Sequence, residues 1–327
     1  MACAKHFFDV LPPTSIIAQR PDNGALMLEI VCIEGLKPGE LTLKQNDGAS
    51  WFLLQRNSQK MIIAAGLSER SESNCILQQS HSAFDLLQGI LQEEGMEFSD
   101  IIRQWNYIEQ ITARAQSNDS ISQHYQIFND VRTKFYQQAR FENGFPAATG
   151  IGMDFGGIII DFIAAKLGGK SAIIGVKNPL QLDAYHYSKE VLAENRAMDD
   201  FCQTTPKFER AKVIETPDGK WIFVSGTAAI TGELSCLESC IEQQTEMTIQ
   251  NILGLISPEN LQKHGVDCRG EVTLKYLRAY IKFKADIPQV KEICRKYFPQ
   301  IPIAFVVADI CRPELLIEIE GEAFIHS

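Results

Sequence analysis

The alternation of apolar and polar residues changes its period several times along the second half of the chain, which predicts a mixture of strands and helices. Period-two runs are typical of strands, and apolar residues three or four apart are typical of helices. Asp286 is a suitable N-cap for the last helix, and Pro288 lies in its first turn. The elements predicted for this half are a strand at 220–231, a helix at 235–255, a strand at 272–283, a helix at 286–297 and two strand runs within 303–323.

The first half of the chain repeats the same order of elements. Its predicted elements are a strand at 60–67, a helix at 82–94, a strand at 101–111, a helix at 122–138 and a closing strand pair at 146–165. The shared order, the glycine after the first strand and the closing strand pair favour an internal duplication. We therefore predict an α+β fold of two similar halves, with one domain at 1–167 and another at 213–327. A connecting segment at 168–212 is expected to cover the pocket between them.

The charge of the chain narrows the classes of partner. The 327 residues include 31 Lys and Arg against 41 Asp and Glu, a formal net charge of −10. This sign disfavours non-specific binding to nucleic acid and to anionic membranes, so an anionic small molecule would need a local cluster of basic residues. The N-terminal residues lack the apolar core of a signal peptide, and the longest apolar run, 158–167, is too short to span a membrane. A cytoplasmic location is expected.

Nine cysteines occur at irregular spacings, which is typical of a reducing compartment. Cys236 and Cys240, the nearest pair, have no histidine close by in sequence, so no structural zinc site is predicted. Gly150 and Gly152 form a GxG pattern, but neither of the two phosphate-binding glycine motifs surrounds it. We therefore predict neither a metal nor a nucleotide cofactor.

Short motifs of the second half resemble the RidA/YjgF family: Ser225-Gly226, Gln244-Thr245, Asn251-Ile252 and the closing run 317–320. The resemblance implies that each half is a mixed sheet packed on helices, and that subunits form trimers with sites between them. It also implies an arginine near the start of the penultimate strand, where the imine deaminases of this family hold the substrate carboxylate. Ile303 and Ala148 occupy that place in the two halves, which argues against an imine deaminase.

Longer motifs across about two thirds of the chain resemble the chorismatases, the family of chorismate-cleaving enzymes. The matching segments are FNDVR at 128–132, GFPAATGIG at 144–152, NPLQLDAYHY at 178–187, FERA at 208–211, SGTAAITGE at 225–233 and ADICRPELLIEIEG at 308–321. The resemblance implies cleavage of the enolpyruvyl ether of chorismate to pyruvate and a ring acid, without metal or cofactor. Such a reaction needs cations that hold the two carboxylates and an acid that protonates the enolpyruvyl methylene.

The resemblance assigns roles to four residues. Glu318 lies at the position of the catalytic glutamate, and Arg132, Arg210 and Tyr187 lie where the anionic groups of the substrate are held. Judged without the family, Glu318 also fits a half-exposed strand, the two arginines a solvated surface, and Tyr187 the core. Arg132 follows Phe128 by four residues on a predicted helix, so the guanidinium and the ring share one face.

Two positions bear on the choice of product within the family. Ala228 and Cys311 lie where small residues separate chorismate hydrolases from 3-hydroxybenzoate synthases, and the synthases pair a glycine with a cysteine. The chain has the cysteine at position 311 but an alanine at position 228. The cysteine favours 3-hydroxybenzoate over 3,4-dihydroxycyclohexa-1,5-dienoate. A plain buried cysteine is the alternative for Cys311. Asp161 is expected at the place of Glu318 in the first half, and His186 is expected to be structural.

Two other functions stay open at this point. One is a RidA-type enamine or imine deaminase, and the other is a non-catalytic binder of small aromatic acids. For all three functions the partner is a small molecule, with neither nucleic acid nor membrane. A duplicated chain is compatible with a monomer or with a homotrimer.

Overall fold

A computed structural model describes most of the chain. The described residues are 12–46, 48–56, 58–68, 75–117, 120–167, 173–188, 191, 204–216, 218–236 and 239–326. Within these ranges, no helix combines the length and the apolar character needed to cross a membrane.

Strands and helices alternate in both halves of the chain. The elements of the first half are β1 Arg20–Pro21, β2 Leu41–Asn46, β3 Ala49–Arg56, β4 Gln59–Leu67, α1 Ile76–Glu93, β5 Ile101–Glu109, β6 Arg114–Ser117, β7 Ser120–Gln123, α2 His124–Tyr136, β8 Ala147–Met153 and β9 Ile158–Lys166. Those of the second half are β10 Ile173–Val176, β11 Ala211–Thr216, β12 Gly219–Ala228, β13 Ile230–Thr231, β14 Leu234–Ser235, α3 Ile241–Leu255, α4 Pro258–Lys263, β15 Val272–Ile281, α5 Ile287–Tyr297, β16 Ile303–Val307 and β17 Ile317–His326.

The two large sheets repeat one strand order. The first sheet runs β2-β3-β4-β9-β5-β8, and the second runs β10-β11-β12-β17-β15-β16 with β1 added at its edge. In each sheet one pair is parallel, β5 with β8 and β15 with β16, and the other pairs are antiparallel. This correspondence confirms the predicted duplication and the α+β fold class.

Both sheets contain a register shift at the same place. In the first sheet it lies between Ala64 and Leu67 of β4, and in the second between Val224 and Thr227 of β12. Each shifted stretch includes a glycine, at 66 and at 226. A glycine inside a strand often marks such an irregularity, because the backbone must bend or approach another group closely.

The pairing register shows that the expected place of Asp161 is wrong. Beyond the shift, Leu67 pairs with Ile160 and Thr227 pairs with Ile319. Asp161 therefore corresponds to the residue after Ile319, which is Glu320 rather than Glu318. A sequence comparison with small gaps could not see this two-residue offset, because the hydrogen-bond ladder fixes the register.

The helices cover the outer faces of the sheets, and the inner faces pack on each other. One core joins the first sheet to α1 and α2, and a second core joins the other sheet to α3, α4 and α5. Two smaller clusters combine residues of both sheets, among them Ile151 with Ala228 and Ile102 with Phe223. The molecule is thus layered as helices, sheet, sheet, helices, and the space between the sheets contains the site described below.

Most predicted elements are confirmed, although two helices have different starts. Helix α1 begins at Ile76 rather than at 82, because the polar run 78–81 hides its apolar face. Helix α3 begins at Ile241 rather than at 235, because 234–235 forms β14 and pairs with β13. Strands β2 and β3 were not predicted. The polar end and the half-exposed residues of β2 give only a weak alternation.

Candidate active site

Strand β17 carries two glutamates on one face. Glu318 and Glu320 are separated by one residue, so their side chains point to the same side. Ile317 and Ile319 point to the other side, into the helix-covered core. Glu318 is 5% exposed and Glu320 is 4% exposed. The half-exposed strand considered for Glu318 is therefore excluded, because the first sheet covers the face that the glutamates share.

Glu320 accepts hydrogen bonds from five side chains that come from both halves. The donors are Arg103 Nη2 (2.5 Å), Trp105 Nε1 (3.1 Å) and Thr149 Oγ1 of the first half, and Arg278 Nη1 (2.7 Å) and Tyr280 Oη (3.0 Å) of the second. Burial by itself would raise the pKa of Glu320, but the guanidiniums of Arg103 and Arg278 lower it below its ordinary value. Glu320 is therefore ionised at neutral pH.

Glu318 has a different environment. In the described part of the chain, no group donates a hydrogen bond to its carboxylate. Burial raises the pKa of Glu318 to about 8, the charge of Glu320 adds to the rise, and Arg103 and Arg210 oppose it. The side chain lies against Gly226, where any Cβ would overlap the carboxylate. At neutral pH Glu318 therefore holds a proton that it can donate.

Helix α2 places Arg132 in the same interior. Arg132 is 2% exposed, so the solvated arginine considered above is excluded. Its Nη2 donates to Asn129 Oδ1 at 2.5 Å, and its guanidinium lies 5.6 Å from the centre of the Phe128 ring, as the four-residue spacing predicts. Its Nε has no hydrogen-bond partner in the described part of the chain. A buried donor of this kind is available to an anion.

Arg210 and Tyr187 form a second group of donors. The Nη2 of Arg210 donates to Tyr187 Oη at 2.7 Å and to the carbonyl oxygen of Leu182 at 2.5 Å. Arg210 is as buried as Arg132, and among the described residues its Nε also lacks a partner. Arg312 lies over Tyr187, with its guanidinium 5.2 Å from the centre of the ring.

Lys207 adds a fourth cation. Its Nζ donates to Thr205 Oγ1 at 2.7 Å, and burial followed by the nearby Arg132 guanidinium lowers its pKa. None of the four cations forms an ion pair with a carboxylate in the described ranges. The four are Lys207, Arg132, Arg210 and Arg312. In a chain with net charge −10, this is a local excess of positive charge.

Tyr125 shows that these groups surround one region. Burial raises its pKa, Cys311 and Glu318 add to the rise, and Arg132 opposes it. Its ring packs on Gly150, where a side chain would collide with it. The acid on β17 and the cation on α2 therefore both lie close enough to Tyr125 for their charges to act on the same phenol.

The two positions that the sequence analysis expects to bear on product choice also lie beside Glu318. Ala228 is buried and is the direct cross-strand neighbour of Glu318 on β12. Cys311 is half-buried, and burial followed by the field of Glu318 raises the pKa of its thiol to about 12. The thiol is therefore neutral at physiological pH and is not a thiolate nucleophile.

Two residues considered from the sequence lie elsewhere. The exposed ring of His186 meets the Tyr185 ring edge to face, and its Nδ1 lies 3.7 Å from an Asp183 carboxylate oxygen, in the connecting segment. Asp161 is half-buried, desolvation raises the pKa of its carboxyl to about 6, and it accepts hydrogen bonds from Ser15 Oγ and from the Gly66 amide. Among the described residues, neither His186 nor Asp161 forms a hydrogen bond with Glu318, Arg132 or Arg210.

Sequence reasoning missed Arg103, Thr149, Lys207 and Arg312. Arg312 directly follows Cys311 and Lys207 directly precedes the FERA motif, so adjacency to a candidate was a usable signal for both. Arg103 and Thr149 lie in apolar strands, and their contacts with Glu320 span 217 and 171 residues of sequence. No local pattern indicates such contacts.

The geometry defines a class of site. A buried carboxylic acid that holds its proton lies near several cations without carboxylate partners, which suits acid catalysis on an anionic small molecule. In the described ranges, no group of three potential metal ligands occurs.

Comparison with known proteins narrows the class to a family. A family model for the N-terminal part of FkbO/Hyg5-like chorismatases matches residues 39–164. The chain is 33% identical to a 3-hydroxybenzoate synthase of Streptomyces hygroscopicus over 74% of this chain and 68% of that protein. It is 31% identical to a chorismatase of the same organism, over 68% of this chain and 60% of that protein.

A solved structure agrees with these relatives. The crystal structure of a chorismatase matches with a TM-score of 0.67 and 26% identity, over 86% of this chain and 78% of that one. This chain belongs to the chorismatase family, as its motifs predict.

Proposed function

We propose that the protein cleaves the enolpyruvyl ether of chorismate, releasing pyruvate and a ring acid. The observation that carries the proposal is the contrast between two carboxylates on one strand face. Glu320 is ionised by two arginines, whereas Glu318 is buried without a hydrogen-bond donor among the described residues and keeps its proton. The names of the relatives, chorismatase and 3-hydroxybenzoate synthase, support the same activity.

The cations hold the substrate in this proposal. Chorismate carries two carboxylates, and Arg132 and Arg210 each keep a buried Nε available. Arg132 binds one carboxylate and Arg210 with Tyr187 binds the other, because charge-assisted hydrogen bonds from guanidinium to carboxylate are strong and directional. Lys207 adds positive charge beside Arg132, and Arg312 adds positive charge beside Tyr187.

Glu318 is the general acid. It transfers its proton to the enolpyruvyl methylene, and the ether carbon becomes an oxocarbenium-like centre. When water attacks this centre, a hemiketal forms and breaks its bond to the ring oxygen, so that pyruvate and the dihydroxy acid separate. When the neighbouring ring hydroxyl attacks instead, a cyclic ketal forms and the bond between the ring and the former hydroxyl oxygen breaks. The ring then loses the proton on the carbon that carries the ether oxygen and becomes aromatic, and the remaining hemiketal releases pyruvate from 3-hydroxybenzoate. A proton released in these steps returns to Glu318. Hydrolysis consumes one water, whereas formation of 3-hydroxybenzoate with pyruvate consumes none.

The preferred product is 3-hydroxybenzoate. Cys311 places a neutral thiol beside Glu318, and the 33% identical relative is named a 3-hydroxybenzoate synthase. Ala228 is larger than the glycine expected in such an enzyme, so the hydrolysis product, 3,4-dihydroxycyclohexa-1,5-dienoate, is the alternative.

The first test is incubation of the purified protein with chorismate and no added metal. Pyruvate is followed with a coupled reductase, and the ring product is followed by chromatography. Pyruvate with 3-hydroxybenzoate supports the proposal in full, and pyruvate with the diene acid supports the cleavage but not the product. A pyruvate rate no higher than the spontaneous background contradicts the proposal.

The Glu318→Gln variant separates an enzyme from a binder of small aromatic acids. The amide keeps the shape but donates no acidic proton, so turnover should fall by about 100-fold or more while calorimetric affinity for chorismate stays within a few-fold. The exposed Glu246→Gln on α3 is the matched control. A wild-type protein that binds chorismate without turnover would be the binder, and ammonia release from an enamine would instead indicate a deaminase.

A further inference from the structure

Glu320 has no role in the proton transfer itself, yet it is the most extensively hydrogen-bonded carboxylate of the site. Its five donors come from β5, β8 and β15, so both halves hold it in one position. Two of those donors are guanidiniums, at 2.5 Å and 2.7 Å. A carboxylate held in this way stays ionised across the physiological pH range.

Glu320 and Glu318 face the same space. Two residues along a strand correspond to about 7 Å, and both side chains are buried. At that separation in a partly desolvated site, a fixed negative charge disfavours ionisation of its neighbour by on the order of one to two pH units. The charge of Glu320 therefore bears directly on whether Glu318 holds a proton.

Other groups face Glu318 as well. Arg103 of β5 and Arg210 beside β11 favour its ionised form. Tyr125 and Cys311 face it as neutral groups. Within the part of the chain that the structure describes, the charged neighbours left without Glu320 would be the two arginines, and both favour loss of the proton.

We propose that Glu320 is a positioning residue for the general acid: its fixed negative charge keeps Glu318 protonated at the pH where chorismate is cleaved. This inference rests on the proposed function, because it assigns Glu318 the proton-donating role. It deepens that function by assigning Glu320, which takes no part in the proton transfer, the task of keeping the proton on Glu318.

The test is the pH profile of kcat for Glu320→Gln, measured by pyruvate release between pH 5 and pH 10. Wild-type kcat should fall as the pH rises through about 8, where Glu318 loses its proton. The amide keeps the shape of Glu320 and removes its charge, so the midpoint of that fall should move down by about one to two pH units. At pH 8 the variant should be about tenfold slower, and at pH 5.5 it should be within about twofold of wild type.

Glu322→Gln is the matched control. Glu322 lies on the same strand and also two residues from Glu320, but on the side away from Glu318. Its midpoint should equal that of wild type. Glu320→Asp, which restores the charge, should recover most of the shift. A Glu320→Gln variant whose midpoint stays at the wild-type value would overturn the inference and leave the proposed function standing.

An infrared measurement covers the case in which Glu320→Gln does not fold. The difference spectrum between wild type and Glu318→Gln should contain the band of a protonated carboxyl group at pH 6.5, and the band should lose half of its intensity near pH 8. Absence of that band at pH 6.5 would overturn the inference. A wild-type protein that releases no pyruvate fails the proposed function, and this inference fails with it.

Discussion

At the residue scale, the missing side chain of Gly226 lets the acid sit where it does. The carboxylate of Glu318 occupies the volume that a Cβ at 226 would need, and the methyl group of Thr149 would lie 3.2 Å from that Cβ. The Gly226 amide donates to Thr149 Oγ1 at 3.1 Å rather than to the acid. This glycine therefore leaves space for Glu318 without stabilising its charged form.

Gly226→Ala should lower kcat at least tenfold. The added methyl group displaces the Glu318 carboxylate, and overpacking of this kind costs about 1–3 kcal/mol of folding free energy. Chorismate turnover and urea unfolding measure the two effects. Gly89→Ala, on the exposed face of α1 with no atom near its new methyl group, should keep wild-type turnover. Wild-type kcat in Gly226→Ala would show that the acid tolerates displacement.

At the element scale, helix α2 and the segment 204–208 hold the cations together. Asp130 of α2 accepts hydrogen bonds from Thr204 Oγ1 at 2.6 Å and from the Thr204 amide at 3.2 Å. This contact ties the chain just before Lys207 to the helix that carries Arg132. The two cations approach each other because their elements are joined, although 75 positions separate them in sequence.

Lys207→Met should raise the KM for chorismate about tenfold or more, with kcat within about twofold. Methionine keeps the length and apolar stem of the side chain, and loss of a charge-assisted contact costs about 1.5–3 kcal/mol. A contact made equally in the ground state and the transition state changes KM rather than kcat. Steady-state kinetics provides the measurement. The exposed Lys263→Met on α4 should behave as wild type, and an unchanged KM in Lys207→Met would remove this lysine from the substrate site.

At the scale of the whole molecule, polar contacts between the sheets join the two halves. Ser225 Oγ of β12 accepts a hydrogen bond from the Ala148 amide of β8 at 2.9 Å and donates one to the Glu209 carbonyl oxygen at 2.6 Å. Both contacts are buried, so neither group has water as an alternative partner. The same interface includes Arg103 and Arg278, the hydrogen-bond donors that lower the pKa of Glu320.

Ser225→Ala should lower the free energy of unfolding by about 1–3 kcal/mol, because it leaves a buried amide without an acceptor. Urea unfolding should show a lower midpoint with an unchanged slope. Ser239→Ala, which removes a half-buried hydroxyl bonded to the Cys236 carbonyl, is the control and should change the midpoint less. Equal shifts in the two variants would show that the contact between the halves is not special.

The sequence predicted much of the fold because periodicity is a local property. The strand predicted at 101–111 and the helix predicted at 286–297 are observed at 101–109 and 287–297, and the closing strand pairs also follow from alternation. The start of α1, strands β2 and β3, and the register of Asp161 were missed or wrong, because they depend on polar surface residues and on ladder pairing. The domain boundaries at 167 and 212 stay a prediction.

The sequence by itself determined the duplication, the family and the candidates Glu318, Arg132 and Arg210, because motifs and element order are written along the chain. Only the tertiary structure decided which of two neighbouring glutamates is ionised. Glu318 and Glu320 have the same chemistry and nearly the same local sequence. Their pKa values differ because Arg103 and Thr149, 217 and 171 residues from Glu320 along the chain, reach one carboxylate and form no hydrogen bond with the other.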